Sequence, residues 1–163
     1  MAKKKDEKTN VMRTLEQKKI AYTAHAYPHE EGVAVDGVTV AAMLGQDPER
    51  VFKTLVARGA SKGIYVFVIP VADSLDLKKA AKAVGEKSIE MVAVKEINAL
   101  TGYIRGGCSP VGMKKQYPTV FHETVEIIDT IMVSAGKIGA QVELEPQALM
   151  ELVGGIAADI TVS

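Results

Sequence analysis

Two apolar runs constrain this chain more than any other feature. Val51 to Arg58 and Ile64 to Pro70 flank Gly59-Ala60-Ser61-Lys62-Gly63. Two strand-forming runs around a short glycine-bounded segment read as a β-hairpin. Further strands are expected at 22–27, 88–92, 119–122, 130–134, 141–144 and 159–162. A first helix is expected to start at an Asn10 cap and run to about Lys19, and a second from a Thr39 cap to Gly45. Asp76 and Gly85 bracket a third, Leu77 to Val84, whose apolar positions Leu77, Ala80, Ala81 and Val84 fall at helical spacing. Val94 to Leu100 and Pro146 to about Gly154 are two more. Short strands mixed with short helices, without regular strand–helix alternation, give an α+β fold: a mixed, mostly antiparallel, curled sheet with helices packed on it. A doubly wound sheet is not expected.

The chain has 163 residues, 47% hydrophobic and 25% charged, which suits one globular domain. A flexible tail is expected over 1–9 and the domain over 10–163. No apolar run is long enough for a membrane helix, and Met1-Ala2-Lys3-Lys4-Lys5-Asp6-Glu7 has no apolar stretch behind its charges. The one cysteine, Cys108, cannot form an internal disulfide or a multi-cysteine zinc site. A cytoplasmic location is the expectation.

Twenty basic and twenty acidic residues cancel, but unevenly. Residues 78–115 hold eight bases (Lys78, Lys79, Lys82, Lys87, Lys95, Arg105, Lys114, Lys115) against three acids, a local +5, while 141–163 carry −4. A basic patch on a neutral chain suits a selective polyanion contact. The alternative is a solvated lysine face.

The motifs exclude more chemistry than they support. His25 and His29 are four apart, but Pro28 lies between them, so they do not share a helical face, and His122 reads as a strand-end residue. No metal and no nucleotide cofactor are expected. Cys108 lies in a glycine-rich loop, where backbone amides can lower a thiol pKa, but a lone cysteine also serves as a small buried filler. Two features remain. Lys53 lies in Val51-Phe52-Lys53-Thr54-Leu55-Val56, on the same side as Val51 and Leu55. A lysine there needs solvent, a partner or an anionic ligand; the other reading is a charge guarding a sheet edge. The second feature is Gly106-Gly107-Cys108-Ser109-Pro110-Val111-Gly112, a constrained loop whose amides can converge on a phosphate or a carbonyl oxygen, or serve the loop alone.

Together these two features resemble the YbaK/EbsC family of aminoacyl-tRNA deacylases, also found as the editing insertion of bacterial prolyl-tRNA synthetases. The resemblance spans about 10–162. It is carried by His25-Ala26-Tyr27-Pro28-His29, Val51-Phe52-Lys53-Thr54-Leu55, Leu75-Asp76-Leu77-Lys78-Lys79-Ala80-Ala81-Lys82, Thr101-Gly102-Tyr103 with the Gly106–Gly112 loop, and Val133-Ser134-Ala135-Gly136-Lys137. The Gly-Gly pair before Ser109-Pro110-Val111-Gly112 looks most like the branch that clears cysteine from tRNA(Pro). The resemblance implies a sheet curled toward a barrel, a cleft site, and no metal or nucleotide cofactor. Lys53 matches the family's essential lysine and Tyr27 an aromatic lining the site. Thr54, Gly106 and Ser134 match further pocket positions, and Ser109 and Pro110 are expected substrate contacts. Where relatives commonly place Phe-Gly, this chain has Asp36-Gly37, which removes an aromatic wall.

The implied reaction needs no protein nucleophile. The thiol of a cysteinyl ester attacks its own carbonyl, and a thiolactone leaves the tRNA. The protein then supplies positioning and charge stabilisation. Gly106 and Gly107 are the expected amide donors. Lys53, at an ordinary pKa of ~10.4, is assigned to the terminal nucleotide or carbonyl end rather than to base catalysis. Lys78, Lys79, Lys82, Lys114 and Lys115 are expected to follow acceptor-stem phosphates. The partners expected are mischarged tRNA and, for tRNA identity, prolyl-tRNA synthetase. The alternatives are a deacylase for another amino acid such as alanine, and a non-catalytic module binding tRNA or the synthetase; a structural interaction protein ranks third.

Overall fold

The computed structural model describes residues 8–162. Most of the tail expected over 1–9 lies outside the described residues. Thr9, not Asn10, caps the first helix: its Oγ1 accepts the Met12 N–H. The chain then runs α1 (Asn10–Gln17), β1 (Thr23–Ala26), α2 (Gly37–Met43), β2 (Phe52–Gly59), β3 (Ile64–Pro70), α3 (Leu77–Val84), β4 (Ile89–Met91), α4 (Val94–Thr101), β5 (Thr119–His122), a 3-10 turn at Glu123–Glu126, β6 (Ile131–Ser134), β7 (Ala140–Leu144), α5 (Pro146–Val153) and β8 (Ile156–Ala158). No helix among the described residues is long and apolar enough to cross a membrane.

The class is α+β, as expected, but the strands form two sheets and the barrel does not close. One sheet has the order β1-β7-β6, the other β4-β2-β3-β5-β8. Pairing is antiparallel except for β3–β5 and β5–β8. A single parallel bridge, Val51 to Met132, joins the sheets, with the Met132 N–H donating to the Arg50 carbonyl at 2.8 Å.

Alternation along the strands sorts the core. Phe52, Val66, Val68 and Phe121 of the larger sheet pack with Ile131, Val133, Val142 and Leu144 of the smaller, under Leu15 of α1 and Leu149 of α5. The other face of the larger sheet buries Ala57, Phe67, Ile69 and Val120 against Ala80 and Ala81 of α3. A third cluster, Ala41, Val51, Val71 and Met132, fixes α2 where the sheets meet.

The caps explain where helices start. The Asp76 carboxylate accepts the Lys78 and Lys79 amides, and Gly85 ends α3 at φ 75°, a left-handed conformation open to glycine. Asp36, not Thr39, caps α2 by accepting both the Thr39 N–H and its hydroxyl. The last strand forms at Ile156–Ala158 instead of 159–162. Gly155 permits that early start, because a Cβ there would sit 2.6 Å from the Phe121 ring. Asp159 instead pairs with Lys79, and Ile160 is fully buried.

Candidate active site

A short β4 leaves a gap in the larger sheet. β4 pairs only with Ala57, Arg58 and Gly59 of β2, and the inter-sheet bridge holds Val51. Among the described residues, 53–55 have no strand on that side. The Val56 carbonyl faces β4, accepting from Val92 N, and the Arg50 carbonyl faces β6. By alternation, the Thr54 N–H and carbonyl point the same way, into the gap. The gap opens onto a cavity of about 1180 Å³.

Three walls surround this backbone window. The first is β2 itself, with Lys53, Thr54 and Leu55. The second is the face of the smaller sheet that carries Ser134 and Gln141, which are paired in register, with Tyr27 just past β1. The third comprises the 32–38 segment leading into α2 and the Ile104–Cys108 loop.

Lys53 is half-buried, and its ammonium has no hydrogen bond or ion pair among the described residues. Burial lowers its pKa below the ordinary lysine value, and the nearby Asp73 charge opposes that shift. Thr54 Oγ1 and Gln141 Oε1 are buried without partners. Ser134 Oγ accepts the Gly136 N–H at 3.1 Å. Tyr27 is buried, its N–H is held by the Gly139 carbonyl, and its ring meets His29 edge-on. Burial pushes the Cys108 thiol up to about 11, keeping it protonated at neutral pH. Asp36 is the only carboxylate among the described lining residues. Its hydrogen bonds to Thr39 hold it below the usual range and occupy it as a cap, which is what stands at the missing aromatic position.

The glycine loop separates residues that the sequence groups together. Gly106 lines the cavity at φ 88°, and a Cβ there would lie 2.7 Å from Ala34 Cβ. Gly107 is buried outside the lining and donates its N–H to the Ile104 carbonyl at 2.9 Å. That turn removes Gly107 from the expected amide pair, while the Gly106 amide has no partner among the described residues. Ser109 and Pro110 are also buried behind the lining. Ser109 Oγ accepts from Val111 N, and the Tyr103 hydroxyl donates to the Val111 carbonyl, so these residues shape the loop instead of touching the cavity.

The cavity thus gathers Tyr27, Lys53, Thr54, Gly106 and Ser134 but not Gly107, Ser109 or Pro110. The expected phosphate-following lysines also lie outside it. Lys78, Lys82, Lys114 and Lys115 are exposed, and Lys114 Nζ donates to the Ala99 carbonyl. Lys79 differs: its ammonium is held by Asp159 and the Thr161 carbonyl. The reading by residue type missed Gln141, and it counted Arg105, an exposed cation in the lining, only among the bases of the 78–115 stretch. The signal for Gln141 was the polar–apolar–polar run Gln141-Val142-Glu143 inside a strand. His122, Glu123 and Asp159 come close enough to share an ion. However, His122 Nδ1 accepts from Ile160 N, its Nε2 lies 3.4 Å from Thr161 Oγ1, and Asp159 is paired with Lys79. Two of the three are therefore already engaged.

Comparison with known proteins identifies the family and the fold. A sequence profile for the aminoacyl-tRNA editing domain matches residues 32–152. A protein of Enterococcus faecalis, described provisionally as the Cys-tRNA(Pro)/Cys-tRNA(Cys) deacylase EbsC, is 49% identical over 162 residues, 99% of this chain and 98% of that one. A crystal structure described provisionally as a trans-editing enzyme for prolyl-tRNA synthetase superposes with a TM-score of 0.81 at 25% identity, covering 94% of this chain and 95% of that one. A further crystal structure, of a protein called only hypothetical, shares the fold with a TM-score of 0.83 at 22% identity, covering 94% of this chain and all of that one.

Proposed function

Because the chain belongs to the aminoacyl-tRNA editing domain family, we propose that it is a trans-acting deacylase that removes cysteine from mischarged Cys-tRNA(Pro), with Cys-tRNA(Cys) as a second substrate. The observation that carries this reading is the unpartnered, half-buried Lys53 ammonium beside an open backbone window, in a cavity shared with Tyr27, Thr54, Gly106 and Ser134.

The site supports chemistry in which the substrate supplies the nucleophile. Among the described lining residues there is no histidine, the Cys108 thiol is held protonated, and the Asp36 carboxylate is occupied. The cysteinyl thiol attacks the ester carbonyl. The C–S bond forms as the ester C–O bond breaks, and the thiol proton ends on the ribose oxygen. A thiolactone and free tRNA result. Holding the thiol and carbonyl in an attack geometry is worth several kcal/mol. The Thr54 and Gly106 amides are the donors for the developing oxyanion, each worth on the order of 3 kcal/mol when aligned. Lys53 contacts the terminal nucleotide or the ester carbonyl end of the substrate.

Arg105 at the cavity makes the first phosphate contact beyond that nucleotide, and Lys78, Lys82 and Lys115 extend it along the acceptor stem. Prolyl-tRNA synthetase supplies tRNA identity, and the complex acts in the cytoplasm. The test is deacylation of cysteinyl-tRNA(Pro) and alanyl-tRNA(Pro) by wild type and Lys53→Ala. Release of cysteine alone, lost in the variant, is expected. Release of alanine as well replaces the thiol with a positioned water, and release of neither leaves a binding module. Stimulation by added prolyl-tRNA synthetase tests the partner.

A further inference from the structure

Gln141 lies in β7, opposite Ser134 of β6 and His25 of β1, so its side chain is on the cavity face of the smaller sheet. It is only 7% exposed, and its Oε1 has no hydrogen-bond partner. Thr54 Oγ1, in β2 of the other sheet, lines the same cavity with the same deficit. Buried polar atoms in native proteins are nearly always paired. Gln141 Oε1 can only accept, so its deficit points to a ligand that donates hydrogens, and the Thr54 hydroxyl can accept beside it.

The chemistry of an aminoacyl ester narrows which group that is. Its carbonyl, ester and phosphate oxygens only accept, and the cavity already offers them Lys53, Arg105 and backbone amides. Its thiol is a weak donor and its free ribose hydroxyl carries one hydrogen. Two groups carry several strong N–H donors, the α-amino group and the exocyclic amine of the terminal adenine, and the α-amino group is the one that adjoins the ester carbonyl. Asp36 already uses one bond of each carboxylate oxygen on Thr39, as the cap of α2. The His25–Glu143 pair lies on the same sheet face as Gln141, but its two side chains bond each other at 2.9 Å and fall outside the cavity lining. We infer that the Gln141 carboxamide oxygen, with the Thr54 hydroxyl, accepts hydrogen bonds from the substrate's α-amino group and so selects α-aminoacyl esters. This assignment rests on the deacylase reading.

The test compares two esters of one tRNA(Pro). One carries cysteine. The other carries 3-mercaptopropionate, which keeps the thiol and the ester but lacks the amino group. Wild type is expected to favour the cysteinyl ester in kcat/KM by about ten-fold or more, the worth of a hydrogen bond to a charged group. In Gln141→Leu the cysteinyl ester is expected to fall to the level of the desamino ester, whose own rate stays unchanged. Gln141→Glu keeps an acceptor and is expected to show an equal or larger preference. Equal losses on both esters in Gln141→Leu indicate a merely structural side chain and overturn the assignment, as does an unchanged preference. Should the leucine variant fail to fold, the other two proteins decide: no preference in wild type, or a smaller one in Gln141→Glu, overturns it. Turnover without preference removes only the Gln141 assignment. No turnover of the cysteinyl ester by wild type removes the deacylase reading itself.

Discussion

Gly106→Ala tests whether the glycine loop is held by its backbone conformation and its approach to Ala34. At φ 88° an L-residue is strained by about 1–2 kcal/mol. The new methyl would lie 2.7 Å from Ala34 Cβ, 3.2 Å from its Cα and 3.4 Å from Ile138 Cγ1. Ordinary carbon–carbon contact is ~4 Å, so the 32–38 wall must retreat by roughly 1 Å. Overpacking of this kind costs about 1–3 kcal/mol. The sum, about 2–5 kcal/mol, lowers Tm on the order of 10 °C in a chain of this size. Because the retreating wall lines the cavity, turnover is expected to fall on the order of 100-fold. Ala34→Gly removes the nearest obstruction and leaves the strain at φ. The double variant should therefore recover about 1–3 kcal/mol relative to the sum of the single changes, with part of the activity. The measurements are thermal unfolding and cysteinyl-tRNA deacylation for all four proteins. Stability losses that add within about 0.5 kcal/mol refute the steric account.

Lys53→Met should abolish turnover yet raise Tm at neutral pH, because it removes a half-buried ammonium that has no partner. The folded pKa of Lys53 lies below its unfolded value. Wild type therefore gains stability as pH rises from the folded toward the unfolded lysine pKa, and the Tm gap to the variant should shrink over that alkaline window; a gap independent of pH refutes the burial argument. Cys108→Ala should stay active, and alkylation of native Cys108 should be on the order of 100-fold slower than in urea, since its pKa is about 11 against an ordinary 9; equal rates would show an accessible thiolate. Lys78→Glu should weaken tRNA binding and reduce its salt slope by about one, whereas Lys79→Ala should lower Tm through the lost Asp159 and Thr161 contacts. Equal effects of the two on tRNA binding refute that division.

Much of this molecule was legible in local pattern. The β2–β3 hairpin, the Asp76-to-Gly85 helix and the proline start of α5 follow from rules acting over a few residues, and all three stand where those rules put them. Lys53 was visible for the same reason, as a charge inside an apolar run. Where local rules compete, they chose wrongly: Thr39 and Asp36 are both good caps, and the chain uses Asp36, with Gly37 packed so close to Val71 that a Cβ would lie 2.3 Å from its Cγ1. The composition of the site depended on longer range. The open edge at Thr54 exists because β4 is three residues long and reaches only Ala57 to Gly59. Gly107 lost its amide to the turn it closes over Arg105 and Gly106, which leaves the Gly106 amide without a partner among the described residues. Gln141 reaches a cavity with Thr54, 87 positions earlier in the chain, only because the two sheets pack on a shared core and meet at the Val51–Met132 bridge. Periodicity and capping energies act within a few residues and are written in the sequence. Which buried oxygen is left unpaired depends on contacts between distant strands, and only the folded chain brings those together.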